Sequence, residues 1–176
     1  MKQLLITIAA VVLVGCGPSV PDISIHEAAF KNDIDAIKQI LASGVDVNAK
    51  DNDGDTALFI ATGEGHKEVI KLLIAKGADV NRRIEVQHSV RRGGTLLHVA
   101  AVFGYIEIAE LLIAEGVDVT AKDDGGDTAL HLAAGEGGSL EVVKLLINKS
   151  VNVNSKNGEG LNPLHYAVYG DRKEIA

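Results

Sequence analysis

The sequence is poor in the residues that build cross-linked folds and large binding pockets. Its 176 residues include one cysteine and no tryptophan, and aromatic residues amount to 3%. A single cysteine excludes a disulfide within the chain, a CxxC redox pair and a cysteine-rich zinc site. With so few large rings, we expect the core to consist of many small contacts among Leu, Ile, Val and Ala.

Positive charge is scarce as well. Lysine and arginine number 17 against 24 aspartates and glutamates, which gives a formal net charge of -7. Nucleic acid requires a basic face for its phosphates, so this balance argues against a nucleic-acid partner. It also argues against peripheral attachment to an anionic membrane surface. The remaining composition, 47% hydrophobic and 23% charged, is ordinary for one folded domain.

An apolar run stands apart at the N-terminus. Lys2 precedes the mostly apolar stretch Leu4 to Val14. That stretch is too short to span a hydrocarbon core of about 30 Å as a helix, and it is typical of the apolar region of a secretory signal. Residues 13–16 (LVGC) resemble the bacterial lipobox, in which the cysteine is acylated and the peptide is cut just before it.

The lipobox resemblance implies a division of the N-terminal region. Residues 1–15 are the expected signal peptide, Cys16 is the expected lipid attachment site, and residues 16–22 form a short tether. The chain would then be anchored to a membrane of the bacterial cell envelope, with the outer membrane or the periplasmic side favoured. The alternative is a plain signal peptide and a secreted product.

A motif recurs through the rest of the chain. Residues 51–58 (DNDGDTAL) return as 123–130 (DDGGDTAL), and GGTLLH at 93–98 matches GLNPLH at 160–165. Thr95 and Thr128 are 33 residues apart. This period with a T-P-L-H-like motif resembles the ankyrin repeat. The resemblance implies an all-α solenoid of stacked helix-turn-helix units with β-turn or hairpin fingers.

The expected ankyrin domain covers residues 23–176. We count five units, which are 23–50, 51–83, 93–122 after an insertion, 123–156, and an incomplete unit from 157 onward. The final residues, 174–176, align with 107–109 at the start of a helix, so the chain is expected to stop in the first turn of that helix.

Several residue types have a physical reason to recur. Thr56 and its equivalents can cap the first helix of a unit by accepting a backbone N–H. Gly77 and Gly116 stand where the second helix should end in a left-handed residue. Ser150 replaces that glycine in the fourth unit, which also holds an extra residue near Gly138. We therefore expect the second helix of that unit to be looser at both ends.

The insertion between the second and third units is rich in arginine. Apolar and polar residues alternate through 82–92 (RRIEVQHSVRR), which predicts an extended hairpin projecting from the stack. Two interpretations remain open for its four arginines. They can contact a partner, or they can form a solvated loop that pairs with the acidic neighbours Asp53 and Asp124.

Candidate catalytic and metal-binding motifs are incomplete. His98, His131 and His165 stand at the motif histidine of the ankyrin repeat, which in that family hydrogen-bonds locally and ties adjacent turns together. Residues 51–55 resemble the opening of a calcium loop, but the glycine comes too early and Thr62 stands where a glutamate is needed. We therefore predict no catalytic residue, no metal and no cofactor, and hence no enzyme.

The ankyrin resemblance implies where a partner binds. In that family, partners contact the turn tips and the solvent side of the first helices. Phe103 and Tyr169 are the best anchor candidates because aromatic residues dominate binding hot spots, although Phe103 could instead be buried under a neighbouring helix. The positions carried over are Asn52, Asp53, Asp55, Glu64, Arg91, Arg92, Val102, Phe103, Asp124, Asp127, Glu136 and Tyr169.

The sequence thus predicts a non-catalytic protein–protein interaction module, tethered to a membrane through lipidated Cys16. It predicts an unidentified protein partner, no nucleic acid and no evident small-molecule substrate. Three alternatives remain. The chain could be an accessory or inhibitory subunit of a cell-envelope enzyme, a fragment of a larger protein whose catalytic part lies beyond residue 176, or a decayed repeat fragment.

Overall fold

The fold was obtained as a computed structural model that describes residues 21–84, 93–135 and 137–175. In these ranges the chain forms nine helices and, apart from isolated bridges at Lys50–Thr56 and Lys122–Thr128, no β-structure. This confirms the predicted all-α solenoid. The helices are α1 (Ile25–Phe30), α2 (Ile34–Ala42), α3 (Ala57–Gly63), α4 (Lys67–Ala75), α5 (Leu96–Val102), α6 (Ile106–Ala114), α7 (Ala129–Ala134), α8 (Leu140–Asn148) and α9 (Pro163–Tyr169).

The helices stack in two rows. The first helices of successive units, α1, α3, α5, α7 and α9, contact one another in chain order, and each of the first four also packs against the second helix of its own unit. Among the second helices, α2 contacts α4 and α6 contacts α8. The contact between α3 and α5 is less extensive than the other contacts in the first row. The insertion therefore coincides with the least extensive junction of the first row.

Small and branched side chains build the core. One alanine position per unit is fully buried in the first row, because only a small side chain lets neighbouring helices approach closely; its members are Ala28, Ala61, Ala100, Ala133 and Ala167. The second row buries a stripe of larger residues on each helix. Examples of that stripe are Ile37, Ile70, Leu73, Leu112 and Leu146.

The predicted N-terminal caps are present. The Thr56 hydroxyl accepts the Phe59 N–H at 3.2 Å and starts α3. Thr95 and Thr128 form capping boxes with the histidine three residues later, as does Asn162 at the start of α9. These bonds satisfy backbone N–H groups that the first helical turn would otherwise leave without a partner.

The second helices end as predicted in two units and differ from prediction in a third. Gly77 and Gly116 follow α4 and α6 with φ of 90° and 86°. Ser150 adopts the same left-handed conformation, with φ of 62°, and α8 keeps the nine residues of α4 and α6. The expected loosening of α8 is therefore wrong, since the Ser139 hydroxyl also caps its start by accepting the Glu141 and Val142 N–H groups.

The ends of the insertion pair with each other. The Ile84 N–H donates to the Gly94 carbonyl, and the Gly93 N–H donates to the Ile84 carbonyl, both at 2.8 Å. This pairing forms the base expected of a hairpin, while residues 85–92 of the predicted finger lie outside the described residues. Cys16, the predicted signal peptide and most of the tether lie outside them as well.

The last unit consists of α9 and a turn. Residues 173–175 form turns, so the helix predicted to begin at 174 is not seen up to residue 175. Ile175 packs against the core, and Arg172 donates to the Gly135 and Gly138 carbonyls at 3.0 and 2.9 Å. Of the described helices, none has the length and apolar character needed to cross a membrane.

Candidate protein-binding surface

The turn tips share one construction. The Asp51 carboxylate accepts the N–H groups of Asp53 and Asp55, both at 2.9 Å. Asp123 makes the equivalent pair of bonds in the fourth unit, and Asn157 makes it in the fifth. Because this first turn residue is used internally, the residues beyond it are the ones that face outward.

The motif histidines tie each turn to the next. His98 and His131 bond through Nε2 to the carbonyls of Asp127 and Leu161, at 3.1 and 3.2 Å. His26, at the same repeat position, bonds to the Ala49 carbonyl at 2.9 Å, near the end of its own unit, a bond that was not predicted. Burial lowers the pKa of His131, which favours the neutral ring required by its capping bond. The predicted structural role of His98 and His131 is confirmed, while His165 bonds only to Asn162 of its own unit.

Asp127 lies inside the stack. Its side chain is 5% exposed, and the Tyr166 hydroxyl lies 2.7 Å from both of its carboxylate oxygens. The Asn157 amide also donates to it at 2.8 Å. The carboxylate therefore joins the fourth and fifth units, and the prediction that Asp127 contacts a partner is corrected: the side chain is already engaged by its own neighbours.

Asp55 occupies the same repeat position with a different environment. Val99 stands in the next unit where Tyr166 stands after Asp127, and a valine side chain has no donor. Asp55 is half-buried, and burial together with repulsion from Asp51 and Asp53 raises its pKa to about 6, against a smaller opposing effect of His26. An acidic side chain held in this way is electrostatically unsatisfied at neutral pH.

Three aromatic side chains are exposed at the C-terminal ends of first helices. Phe30 ends α1 and is 57% exposed, Phe103 follows α5 and is 53% exposed, and Tyr169 ends α9 and is 74% exposed. Phe103 stacks on the half-buried Tyr105 ring with centroids 5.6 Å apart. The alternative that Phe103 is buried under a neighbouring helix is therefore wrong.

A groove opens between α1 and α3, and we call it the α1–α3 groove. Phe30, Phe59 and Ile60 supply its apolar surface. Phe59 stands at the motif-histidine position of its unit, so it cannot tie the next turn and instead contributes a ring to the groove. The complete lining is His26, Glu27, Phe30, Asp51, Asp55, Phe59, Ile60, Gly63 and Glu64.

Comparison with known proteins agrees with this geometry. A family model described as ankyrin repeats (3 copies) matches residues 25–123 and 115–176. The chain belongs to the ankyrin repeat family. It is 39% identical over 77 residues to the mitochondrial disaggregase of Homo sapiens, covering 42% of this chain and 11% of that protein. It is 44% identical over 59 residues to ankyrin repeat domain-containing protein 29 of Danio rerio, covering 33% and 20%.

The chain thus spans only about a tenth to a fifth of the length of these two relatives. A third match, to the mitochondrial liver isoform of glutaminase from Rattus norvegicus, reaches 45% identity over 47 residues and covers 8% of that protein. Short matches inside long proteins are what a shared ankyrin repeat module produces. They establish the scaffold, whereas binding specificity depends on the residues that the scaffold presents.

The remaining predicted positions of the ankyrin surface can now be placed. Asn52, Asp53, Glu64 and Asp124 are exposed, and Val102 is half-buried. Arg91, Arg92 and Glu136 lie outside the described residues. Sequence reasoning missed Phe30, although its repeat position is the same as that of Tyr169.

The described residues contain no arrangement typical of a metal centre. No three His, Cys, Asp or Glu side chains among residues 21–84, 93–135 and 137–175 are placed to hold a metal ion. In the same ranges, every buried side-chain nitrogen or oxygen has a hydrogen-bond partner. The polar groups inside the ankyrin stack are thus used to hold it together.

Proposed function

We propose that the chain holds a protein partner against the turn tips and the exposed ends of its first helices. Ankyrin repeats form protein–protein interaction modules, and our proposal concerns which surface of this chain contacts the partner. The observation that carries it is the exposure of Phe30, Phe103 and Tyr169 at the C-terminal ends of three first helices. Exposed rings in one row supply the large apolar contacts from which interface hot spots are made.

The acidic turn tips would complement such anchors. Asn52, Asp53 and Asp124 are exposed at the turn tips that precede the first helices, where Asp51 and Asp123 make the bonds that shape the turns. Charges at an interface rim steer association and discriminate between partners more than they add affinity. A partner with positive charge around an apolar patch fits this arrangement.

Site-specific photo-crosslinking tests the surface. A photoreactive phenylalanine is placed at Phe103 or Tyr169, and as controls at Lys71 or Glu110, which are exposed on the second helices. We expect the positions of the first row to crosslink one protein of the native host and the control positions to yield none. Equal crosslinking from both rows would remove the proposed surface.

We also propose that lipidated Cys16 tethers the module to a cell-envelope membrane. The support is the lipobox-like sequence at 13–16 after an apolar run, together with the short stretch of chain between Cys16 and α1. Radiolabelled palmitate should label the wild-type chain and leave Cys16→Ala unlabelled. Equal labelling of the two would overturn the tether, and release of both into the medium would favour secretion.

A further inference from the structure

The α1–α3 groove places apolar surface next to negative charge. The Phe30 ring is 57% exposed, and half-buried Phe59 and Ile60 continue its surface across to α3. Four carboxylates line the same groove. They are Glu27, Asp51, Asp55 and Glu64.

The positive groups near the groove are mostly engaged elsewhere. Lys31 pairs with Glu27 at 2.6 Å, the His26 ring bonds to the Ala49 carbonyl, and the His66 ring bonds to the Phe30 carbonyl. In the described part of the chain, no lysine or arginine forms an ion pair with the carboxylates of Asp51, Asp55 or Glu64. The lining of the groove therefore holds three carboxylates besides the paired Glu27 and no lysine or arginine, while Arg82 and Arg83 border Asp55 in a neighbouring cavity.

The chain itself shows what satisfies a carboxylate at this repeat position. In the fourth unit Asp127 receives donors from Tyr166 and Asn157, which the next unit supplies. In the second unit the equivalent Asp55 receives no such donors, and its side chain lines the open groove. A donor bound in the α1–α3 groove would approach Asp55 from the first-unit side, whereas Tyr166 and Asn157 approach Asp127 from the following unit.

We propose that the α1–α3 groove binds a basic segment of a partner protein in which apolar side chains alternate with arginine or lysine. The apolar side chains lie on Phe30 and Phe59, and the cations face Asp55 and Glu64. Arginine suits both halves of the groove, since a guanidinium pairs with carboxylates and stacks on aromatic rings. This inference rests on the proposed function and names the class of segment that the groove takes.

Synthetic peptides test the chemistry directly. Fluorescein-labelled peptides of repeated Leu-Arg-Gly, Ser-Arg-Gly and Leu-Glu-Gly are titrated with the purified full chain, and binding is followed by fluorescence anisotropy. We expect the Leu-Arg-Gly peptide to bind about tenfold more tightly than the Ser-Arg-Gly peptide. The Leu-Glu-Gly peptide should not bind. Equal affinity of the first two peptides would show charge attraction alone and would overturn the proposal.

Matched variants locate the binding. Phe30→Ser and Asp55→Asn should each weaken the Leu-Arg-Gly peptide about tenfold. Ile147→Ser, at an exposed apolar residue of the second helix α8, and Glu110→Gln, on the second helix α6, should leave its affinity unchanged. Circular dichroism melting curves confirm that each variant is folded. Binding that is insensitive to both groove variants would also overturn the proposal.

The outcome can be separated from that of the proposed function. If Phe103 and Tyr169 positions crosslink a partner while the Leu-Arg-Gly peptide fails to bind, only the groove assignment is lost. If neither crosslinking nor peptide binding is seen, the binding surface as a whole is lost.

Discussion

At the residue scale, Ser150 adopts a backbone conformation that is unfavourable for a residue with a Cβ. Its φ of 62° places it in the left-handed region, where Gly77 and Gly116 end the second helices of other units. A Cβ in this region costs roughly 1–2 kcal/mol relative to glycine. The strain remains because the neighbouring bonds, Ser150 N–H to the Ile147 carbonyl at 2.9 Å among them, hold the helix end in place.

Removing the Cβ at this position should stabilise the chain. We expect Ser150→Gly to raise the free energy of unfolding by about 1 kcal/mol, measured by urea denaturation. Gly77→Ser should lower it by a similar amount, and Ser155→Gly, which lies outside the left-handed positions, should lack the gain. No stabilisation in Ser150→Gly would show that the strain is relieved elsewhere.

Asp55 and Asp127 respond differently to the loss of charge. The pKa of Asp55 is raised to about 6, so the folded state prefers its protonated form, and that contribution to stability is lost as pH rises from about 4 through 6. The groups facing Asp55 are Asp51, Asp53 and His26, with Asp79, Arg82 and Arg83 of the following turn on its other side.

The expected consequence for Asp55 is a pH-dependent gain. Asp55→Asn should raise the melting temperature by about 1–3 °C at pH 7, and the gain should vanish below pH 4, where the wild-type carboxyl is protonated. Asp127→Asn should instead destabilise by about 1–3 kcal/mol at pH 7, because Tyr166 and Asn157 both donate to that carboxylate. If the two variants changed the melting temperature by the same amount at every pH, the proposed difference between the environments of Asp55 and Asp127 would be contradicted.

At the scale of helices and turns, the histidine bonds distinguish one junction from another. His98 bonds to the Thr95 N–H through Nδ1 and to the Asp127 carbonyl through Nε2, so one ring caps its own helix and holds the next turn. Phe59 occupies this position in the second unit and can do neither. The less extensive contact between α3 and α5 lies at that junction.

Placing phenylalanine, the residue at position 59 of the second unit, at the equivalent position 98 should destabilise the third unit. We expect His98→Phe to lower the free energy of unfolding by about 1–3 kcal/mol, because two buried backbone groups lose their partner. His165→Phe is the control: this ring is exposed and bonds only within its own unit, so its loss should cost about 0.5 kcal/mol or less. Equal costs in urea denaturation would contradict the role of the ties.

The recurring motif made the helices, their caps and the glycine ends predictable from sequence. Thr56, Gly77 and the buried alanines each depend on neighbours within a few residues or on the fixed spacing between units. The two aspartates were not predictable in this way. Asp55 and Asp127 stand in the same local sequence, GDTAL, and differ in burial because Tyr166, a distant residue in sequence, packs over only one of them.

Ser150 shows a second limit of prediction. The missing glycine suggested a frayed helix. The surrounding hydrogen bonds instead keep the end of α8 in place, and the backbone of Ser150 takes up the conformational strain. Phe103 shows a third limit of prediction, since its exposure depends on whether a neighbouring helix covers it. The finer binding assignment, to the tips and to the α1–α3 groove, remains a proposal.

As a whole, the molecule is a one-dimensional array in which each unit is stabilised by packing against its neighbours. In such arrays the total stability is close to a sum of unit and interface contributions, and a weak interface separates regions that unfold independently. Here the least extensive contact of the first row lies between α3 and α5, and the Tyr105 hydroxyl donates to the Gly63 carbonyl over a long distance of 3.4 Å.

Hydrogen exchange in increasing urea tests this division. We expect amides of residues 21–84 and of 93–175 to fall into two groups with different dependence on urea, because the junction between the two segments has the least extensive contact of the first row. The wild-type chain provides its own control, since the amides within each segment should behave alike. One common dependence for all slow amides would show that the stack unfolds as a single cooperative unit.

The pairing of Ile84 with Gly93 and Gly94 has a consequence for how this scaffold can change. Two backbone bonds close the insertion where it leaves and rejoins the stack, and the α3–α5 junction already tolerates its presence. Since the entropy cost of closing a loop grows only slowly with its length, the segment between these residues is a natural acceptor for foreign sequence. A library of variants with randomised residues between Ile84 and Gly93 would allow new binding specificities to be selected while the repeats stay unchanged.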